Sequence, residues 1–266
     1  IEDYSTVRGF GDLSADLVRS ILQEGARFVE DVIQPLNQVG DRVGCLREND
    51  GSVVTPPGFK EAYDQFCEDG WNGLQVPTEF GGQGMPHVIS TAFEEYMISA
   101  NMAFTMYPGL TQGAIGAIRA IGSLEDQQAY IPKMAEGAWS GTMNLTEAHC
   151  GTDLGLIRSK AEPQTDGSFK LTGTKMFISS GEHDLTENII HLVLAKIVDA
   201  PDNVRGISMF VVPKFLINKD GSIGDRNNVS CGALEKKMGI NGNATCLMNF
   251  DDATAYLIGE REQGMR

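Results

Sequence analysis

Two short segments in the middle of the chain carry side chains suited to binding a small polar ligand. The first, "LTEAHCGTD", combines Thr146, a glycine and Thr152 in a turn whose free backbone N–H groups could approach a diphosphate closely. The second, "TKMFISSGEH", offers Phe177 as a flat apolar wall and Ser179 as a hydroxyl on the same strand face. Together they fit a planar ring with polar edges. Two hairpins with ordinary turn chemistry fit the same residues, and spacing alone favours them.

Other chemistries find little support in the sequence. There is no nucleophile elbow, P-loop, H-E-x-x-H or kinase signature. His149 stands beside Cys150, but adjacent residues point apart and do not form a nucleophilic pair. His87 and His183 lack partners at metal-ligand spacing, so we predict no metal site.

The first half of the chain has the pattern of helices. Apolar residues recur at helical period, beginning at Leu17, and Ser123 with Asp126 resembles a capping box. Thr55 before Pro56 predicts another helix start. These stripes predict an N-terminal α-helical bundle domain over residues 1–139.

After about residue 140 the apolar period changes to two. Short β-branched runs such as "HLVLAKIV" alternate with turn signals, and Asp166-Gly167 predicts a tight hairpin. The pattern predicts an all-β barrel or sandwich over residues 140–256, followed by the start of a linker over 257–266. The fold class is therefore α+β.

Composition and chain ends bear on the binding partners, the compartment and the full length of the protein. A net charge of −15 argues against nucleic acid as a partner. No apolar run approaches the ~20 residues that span a bilayer, and no signal peptide opens the chain. Five scattered cysteines indicate reduced thiols and favour a cytoplasmic protein. The chain begins without Met and stops in a polar loop, so we expect it to be part of a longer protein.

Several segments resemble the acyl-CoA dehydrogenase family. "LTEAHCGTDLG" is similar to its first signature, and "TGTKMFISSGEHD" to the strand that follows. "VPTEFGGQG" and "LEKKMGINGNATCLMNFDDA" look like further family segments, so the resemblance extends from about residue 14 to 266. The longer segment "AHCGTDLGLIRSKAE" resembles the sequences of one subgroup. That subgroup includes larger bacterial acyl-CoA dehydrogenases and 3-methylmercaptopropionyl-CoA dehydrogenases.

The resemblance implies an FAD site on the β domain. It places the Leu145 and Thr146 backbone, with the Thr146 hydroxyl, at the pyrimidine edge of the flavin. Thr152 would lie near the pyrophosphate. Phe177 would back the ring, and Ser179 would hydrogen-bond near N5 and O4. The implied cofactor-binding residues are Met143, Leu145, Thr146, Thr152, Phe177 and Ser179.

The sequence departs from the common family pattern in a few places. Asn144 replaces a small residue, and Cys150 replaces Gly, Ala or Ser as in the subgroup. Phe177 replaces Trp and loses the indole donor, while Ser179 replaces Thr and keeps the hydroxyl. In the family a C-terminal helical domain supplies the catalytic Glu. We therefore expect no catalytic residue in this chain, and expect Glu147 to have a structural role.

The implied activity is α,β-dehydrogenation of an acyl-CoA thioester. Electron-transfer flavoprotein would reoxidise the flavin, and the full-length protein would be a homo-oligomer. The fragment alone would be inactive. Three alternatives remain: an acyl-CoA oxidase, a flavin monooxygenase on the same fold, and a non-catalytic two-domain binding module.

Overall fold

The helices of the chain precede most of its strands. The computed structural model describes residues 4, 7, 9–11 and 13–265. Within these residues a π-helical stretch, Val29–Ile33, continues the first helix, and a small hairpin of β1 (Leu46–Arg47) and β2 (Val53–Val54) interrupts the helical half. Apolar periodicity did not indicate this hairpin. The α-helices are α1 (Ala15–Phe28), α2 (Leu36–Val43), α3 (Phe59–Glu68), α4 (His87–Ile121) and α5 (Leu124–Glu136).

One predicted helix cap is confirmed and the other is wrong. The Ser123 hydroxyl accepts from the Asp126 N–H at 3.1 Å, and the Asp126 carboxylate accepts from the Ser123 N–H at 2.9 Å. By contrast, α3 begins three residues after Pro56, and Thr55 does not cap it. Thr55 instead donates its N–H and hydroxyl to Asp184, at 3.1 and 2.8 Å. The Thr55 hydroxyl therefore binds a carboxylate that is distant in sequence, which a pattern of neighbouring residues does not indicate.

Helix α4 bends at a buried asparagine. Asn101 has φ −157° and ψ 86°, outside the helical region. Its side-chain oxygen accepts from the Phe104 N–H at 3.0 Å and so caps the second half of the helix. The bend lets both halves pack on one aromatic core, whose members include Phe59, Phe66 and Tyr107.

The second half of the chain is a closed β barrel with two added strands. The strands are β3 (Trp139–Asn144), β4 (Lys160–Pro163), β5 (Phe169–Ser179), β6 (Asn188–Ile197), β7 (Ile207–Pro213), β8 (Phe215–Ile217), β9 (Ile223–Arg226), β10 (Val229–Glu235) and β11 (Thr245–Ile258). In the ring, β11 pairs with β5, β5 with β4, β4 with β6, β6 with β7, and β7 with β11; β3 extends the sheet from β6 and β10 from β11. The predicted barrel or sandwich is thus a barrel.

Turn chemistry and burial explain the barrel. The predicted Asp166-Gly167 turn joins antiparallel β4 and β5, and Gly167 has φ +87°. Every residue of β6 is buried, because one face lines the barrel core and the other is covered by helices and loops. β11 ends at Ile258, beyond the predicted limit of the β domain at residue 256. Within the described ranges, no helix has the length and apolar character to cross a bilayer.

The helical half packs closely against β3 through a glycine. Gly141 donates its N–H to the Thr111 hydroxyl on α4 at 3.1 Å. A Cβ at Gly141 would lie 2.5 Å from the Ala114 Cβ and 2.6 Å from the Met134 methyl. Only glycine allows the helix to approach the strand so closely.

We expect Gly141→Val to destabilise the chain by about 1–3 kcal/mol, because the helix or strand must shift to admit the side chain. Gly113→Ala is the matched control. A Cβ at Gly113 meets nothing within 4 Å, so alanine should stabilise by about 0.4–1 kcal/mol through the unfolded state. Urea unfolding midpoints measure both; equal midpoints for the two variants would contradict the close-packing argument.

Candidate functional site

The two segments singled out in the sequence lie side by side in the structure. The Met176 N–H donates to the Thr146 carbonyl at 2.9 Å, which joins the first segment to β5. A Cβ at Gly151 would lie 3.4 Å from the Thr146 methyl, so the Gly-Thr turn folds back over Thr146. Thr152 follows directly on this turn and Phe177 follows Met176. The structure therefore places Thr146 close to the Gly151–Thr152 turn and to the part of β5 that carries Phe177.

Glu147 holds the two segments together from beneath. Its Oε1 accepts from the Ser159 N–H at 3.0 Å, from the Ser159 hydroxyl at 2.6 Å and from Lys175 Nζ at 2.9 Å. Its Oε2 accepts from the Arg158 N–H at 2.7 Å. Lys175 also donates to the Leu145 carbonyl at 3.0 Å. The exposed fractions of the Glu147 and Lys175 side chains are 5% and 0%. A carboxylate with four donors is fully occupied, as expected for a structural residue.

The hydrogen bonds decide the ionisation of Glu147. Burial by itself would raise the pKa of the carboxyl group, but the Ser159 hydroxyl, the Lys175 charge and the Arg158 N–H outweigh it and lower that pKa. Glu147 is therefore ionised at neutral pH.

The turn after Glu147 is tight, and its polar groups bond other parts of this chain. Glu147 and Cys150 exchange two backbone hydrogen bonds, at 2.8 and 3.0 Å. Cys150 packs into a small apolar cluster with Leu194, and His149 donates from Nε2 to the Leu156 carbonyl at 2.8 Å. Ligand-type atoms of Glu147, His149 and Cys150 lie within 4.8 Å of one another. The donors around Glu147 and the bond from His149 already engage two of these three groups.

Phe177 sits on a β-bulge that turns its ring outward. On β11, Cys246 pairs with Ile178 and Met248 with Lys175, so Met176 and Phe177 together oppose a single residue. Phe177 has φ +59°, a strained value for a side chain of this size, and 48% of it is exposed. Ile178 then enters the barrel core. The bulge thus exposes a large aromatic ring that the packing of the barrel core does not need.

Three hydroxyls of these two segments have no hydrogen-bond partner in the described part of the chain. They are the hydroxyls of Thr146, Thr152 and Ser179. Thr152 is exposed, and Thr146 and Ser179 are half-buried. A surface with an aromatic wall and free hydroxyls is suited to a planar ligand with polar edges.

Sequence reasoning missed two neighbours of this surface. Thr245 pairs with Ser179, and its buried hydroxyl has no partner among the residues described. Lys237 Nζ lies 6.0 Å from the centre of the Phe177 ring, within range of a cation–π contact. Only the pairing register of β5 and β11 shows that Thr245 lies opposite Ser179.

The side chains of Met143 and Leu145, on either side of Asn144, both pack against apolar clusters. Met143 packs against the cluster that joins α4, α5 and β3, and Leu145 packs beside Cys150; Met209 borders both clusters. Asn144 points inward and donates to the Thr142 hydroxyl at 2.8 Å, so the departure from a small residue is accommodated inside the barrel.

A buried histidine completes this inner contact. The Thr142 hydroxyl lies 2.8 Å from His191 Nδ1. Because Thr142 accepts from Asn144, its own proton goes to the histidine. Burial, with the nearby Lys214 charge, lowers the pKa of His191 to about 3, so the ring is neutral and can accept that proton. The network anchors the end of β3, which carries Met143 and leads into Thr146.

The chain is a two-domain protein in which a helical domain is joined to a closed barrel that carries this surface. Comparison with known proteins identifies its family. The family model "Acyl-CoA dehydrogenase, N-terminal domain" matches residues 18–138, and "Acyl-CoA dehydrogenase, middle domain" matches residues 142–253. The chain belongs to the acyl-CoA dehydrogenase family and comprises these two domains.

Individual relatives agree with this assignment. A 3-methylmercaptopropionyl-CoA dehydrogenase of Ruegeria pomeroyi is 47% identical over 257 residues, which are 97% of this chain and 44% of the relative. A butyryl-CoA dehydrogenase of Syntrophomonas wolfei is 37% identical over 263 residues, 97% of this chain and 42% of the relative. The chain thus spans less than half the length of these curated relatives.

A solved structure shows the same fold. An acyl-CoA dehydrogenase of Bacillus anthracis, complexed with FAD, matches with a TM-score of 0.75 and 24% identity. The match covers 95% of this chain and 39% of that one.

We expect Lys175→Met to destabilise the chain by about 3–5 kcal/mol, because Glu147 is left as a buried charge without its partner. Lys160→Met, on neighbouring strand β4 and exposed, is the control and should change stability by less than about 0.5 kcal/mol. Urea unfolding at pH 7 measures both variants. Similar small effects would show that the buried pair is not holding the segments.

The low pKa of Glu147 predicts a pH dependence. Its stabilisation is present above the unfolded pKa of a glutamate, about 4.3, and is lost as the pH falls through the lower folded value. The stability difference between the native chain and Glu147→Gln should therefore shrink between about pH 5 and pH 3. Urea unfolding across this range tests it, and a difference independent of pH would contradict it.

Proposed function

We propose that this chain forms the flavin-binding part of an FAD-dependent acyl-CoA dehydrogenase. The observation that carries the proposal is Phe177, a half-exposed aromatic ring held on a strained bulge. Thr146, whose carbonyl accepts from the Met176 N–H, and Ser179, two residues after Phe177, carry hydroxyls with no partner among the described residues, and the turn before Thr152 approaches Thr146. Family membership supports a flavin as the planar ligand, and the residue types on this surface fit such a group.

Each residue has a distinct part in this proposal. Phe177 supports the face of the ring, and Ser179 donates a hydrogen bond at the ring edge. Thr146 donates at the opposite, pyrimidine edge, together with the backbone beside Leu145. Thr152, on the exposed turn, is positioned for the pyrophosphate, where small residues and backbone N–H groups suit an anion. Met143 completes the lining through its backbone.

The proposed reaction is α,β-dehydrogenation of an acyl-CoA thioester. A bound flavin supplies the acceptor for the hydride that leaves the β-carbon. This chain's contribution is to orient the ring and to exclude water from one face through Phe177. Glu147 cannot serve as the base for the α-proton, because four donors already occupy its carboxylate. We place the catalytic base outside these residues and expect no turnover by the chain alone.

Substrate and partners follow from the same proposal. The name of the 47% identical relative makes a short thioether acyl-CoA the first substrate to test. We propose electron-transfer flavoprotein as the electron acceptor, a homo-oligomer as the assembled form, and the cytoplasm as the compartment.

FAD titration of the chain tests the cofactor site. We expect saturable quenching of flavin fluorescence. Thr146→Ala and Ser179→Ala should each weaken binding about fivefold to tenfold, the loss of one hydrogen bond. Thr174→Ala is the control, because its hydroxyl lies on the same strand but bonds Asn249 at 3.0 Å. If a folded chain, and a longer native protein containing it, both failed to bind FAD, the proposal would be wrong.

The aromatic wall gives a second test. Phe177→Ala should weaken FAD binding about tenfold through loss of stacking, while Phe177→Trp should retain it. Stability should change little in Phe177→Ala, because the ring is half exposed and its backbone is strained. Thermal unfolding and the same titration separate the two effects. An unchanged affinity in Phe177→Ala would remove the ring from the site.

A further inference from the structure

A buried hydroxyl next to the candidate surface has no hydrogen-bond partner. Thr245 is 1% exposed, and its Oγ1 makes no hydrogen bond to any residue that the structure describes. A buried hydroxyl left unpaired lowers stability, and a valine of the same shape would avoid that penalty. Such an atom in a folded protein needs an explanation, and one explanation is a partner that becomes available when a ligand binds.

The strand register places this hydroxyl beside Ser179. Thr245 begins β11 and lies directly opposite Ser179, the last residue of β5. The next pair along the ladder is Ile178 with Cys246, and both belong to the barrel core. Because side chains alternate along a strand, Ser179 and Thr245 both point to the other face. Opposite residues of an antiparallel pair have Cβ atoms about 4.5–5.5 Å apart, so rotation of the side chains brings the two hydroxyls within bonding distance.

The other neighbour of Thr245 in the sheet does not bond this hydroxyl. Glu235 of β10 pairs with Thr245 from the opposite side. The Thr245 hydroxyl nevertheless has no partner there or elsewhere in the described part of the chain. Ser179 also carries a hydroxyl without a partner among those residues, and it is only half-buried. One cross-strand pair therefore has a free hydroxyl on each strand, one buried and one open to a ligand.

A buried asparagine fixes the backbones of this pair relative to each other. Asn243 accepts from the Ser180 N–H at 3.1 Å and donates to the Ser180 hydroxyl at 2.9 Å. Its backbone carbonyl accepts from the Thr245 N–H at 2.9 Å. Its Nδ2 also donates to the Ala103 carbonyl on α4 at 3.3 Å. The two hydroxyls can therefore approach each other by side-chain rotation, with no movement of either strand.

The direction of the hydrogen bonds follows from the role proposed for Ser179. A serine hydroxyl that donates its one proton to the edge of a ring keeps lone pairs that can accept. Thr245 can donate to that oxygen, which would satisfy the buried hydroxyl. Successive hydrogen bonds polarise one another, so this bond would make Ser179 a stronger donor. With 1% of its surface exposed, Thr245 has no area for direct contact with a ligand and would act through Ser179.

We propose that Thr245 is a positioning residue of the flavin site. Its hydroxyl donates to Ser179 Oγ when the cofactor is bound and directs the Ser179 proton towards the ring edge. The inference rests on the proposed function, because it requires an acceptor in front of Ser179. It explains why a threonine stands at this buried position: the hydroxyl lowers the stability of the free chain and strengthens cofactor binding.

Unfolding in the absence of FAD is the first test. Thr245→Val keeps the shape and removes the unpaired hydroxyl, so its urea midpoint should equal or exceed that of the native chain. Thr245→Ser keeps the hydroxyl and loses a buried methyl group, so its midpoint should fall. A fall in Thr245→Val as large as that in Thr245→Ser would show that the hydroxyl is already bonded in the free chain, and would overturn the proposal.

FAD titration should rank the same variants in the opposite order. Thr245→Ser should bind FAD within about twofold of the native affinity, whereas Thr245→Val should bind about threefold to fivefold more weakly. A residue that served only stability would instead weaken binding in the less stable variant. Thr254→Val is the control on the same strand: its hydroxyl accepts from Lys170 Nζ at 3.1 Å, and its loss should leave FAD affinity unchanged.

A double-mutant cycle tests whether Thr245 acts through Ser179. In the Ser179→Ala background, Thr245→Val should change FAD affinity by less than about 1.5-fold, because the acceptor of its proton is gone. Independent effects of the two substitutions, or native affinity in Thr245→Val alone, would overturn the proposal and leave the flavin site standing. The titrations use this chain or, where only the longer native protein containing it retains FAD, that protein. If neither bound FAD, the flavin site and this inference would both be wrong.

Discussion

The candidate surface depends on one buried ion pair. Glu147 and Lys175 come from the two segments that must meet, and they bond each other. Glu147 also accepts from the Arg158 and Ser159 N–H groups just before β4, and Lys175 donates to the Leu145 carbonyl of the first segment. A buried pair contributes little net stability but is costly to break, so it specifies one arrangement. Together with the bond from the Met176 N–H to the Thr146 carbonyl, it fixes the turn that carries Thr146 and Thr152 relative to β5.

The second constraint is the bulge on β5. One extra residue opposite β11 allows Lys175 to point into the barrel while Phe177, two residues later, points out. Strict alternation would have placed both on the same face. The bulge therefore lets a single strand supply the buried anchor of the surface and its exposed aromatic wall. The strained φ of Phe177 is the cost of this arrangement.

The helical domain packs against β3, the strand that leads into the candidate surface. Gly141 permits α4 to approach β3, and the Asn144–Thr142–His191 network holds the end of that strand. Packing of α4 on β3 thus connects the helical half of the chain to the barrel on which the flavin surface is proposed.

Local chemistry was enough to predict much of this protein. The capping box at Ser123, the turn at Asp166-Gly167 and the change from helical to strand period depend on neighbours in sequence, and the structure agrees with them. Because family motifs are also local, they indicated the site residues. Long-range partners decided the rest. Asp184 took Thr55 away from its predicted cap, the pairing register placed Thr245 opposite Ser179, and the β11 register produced the bulge at Phe177.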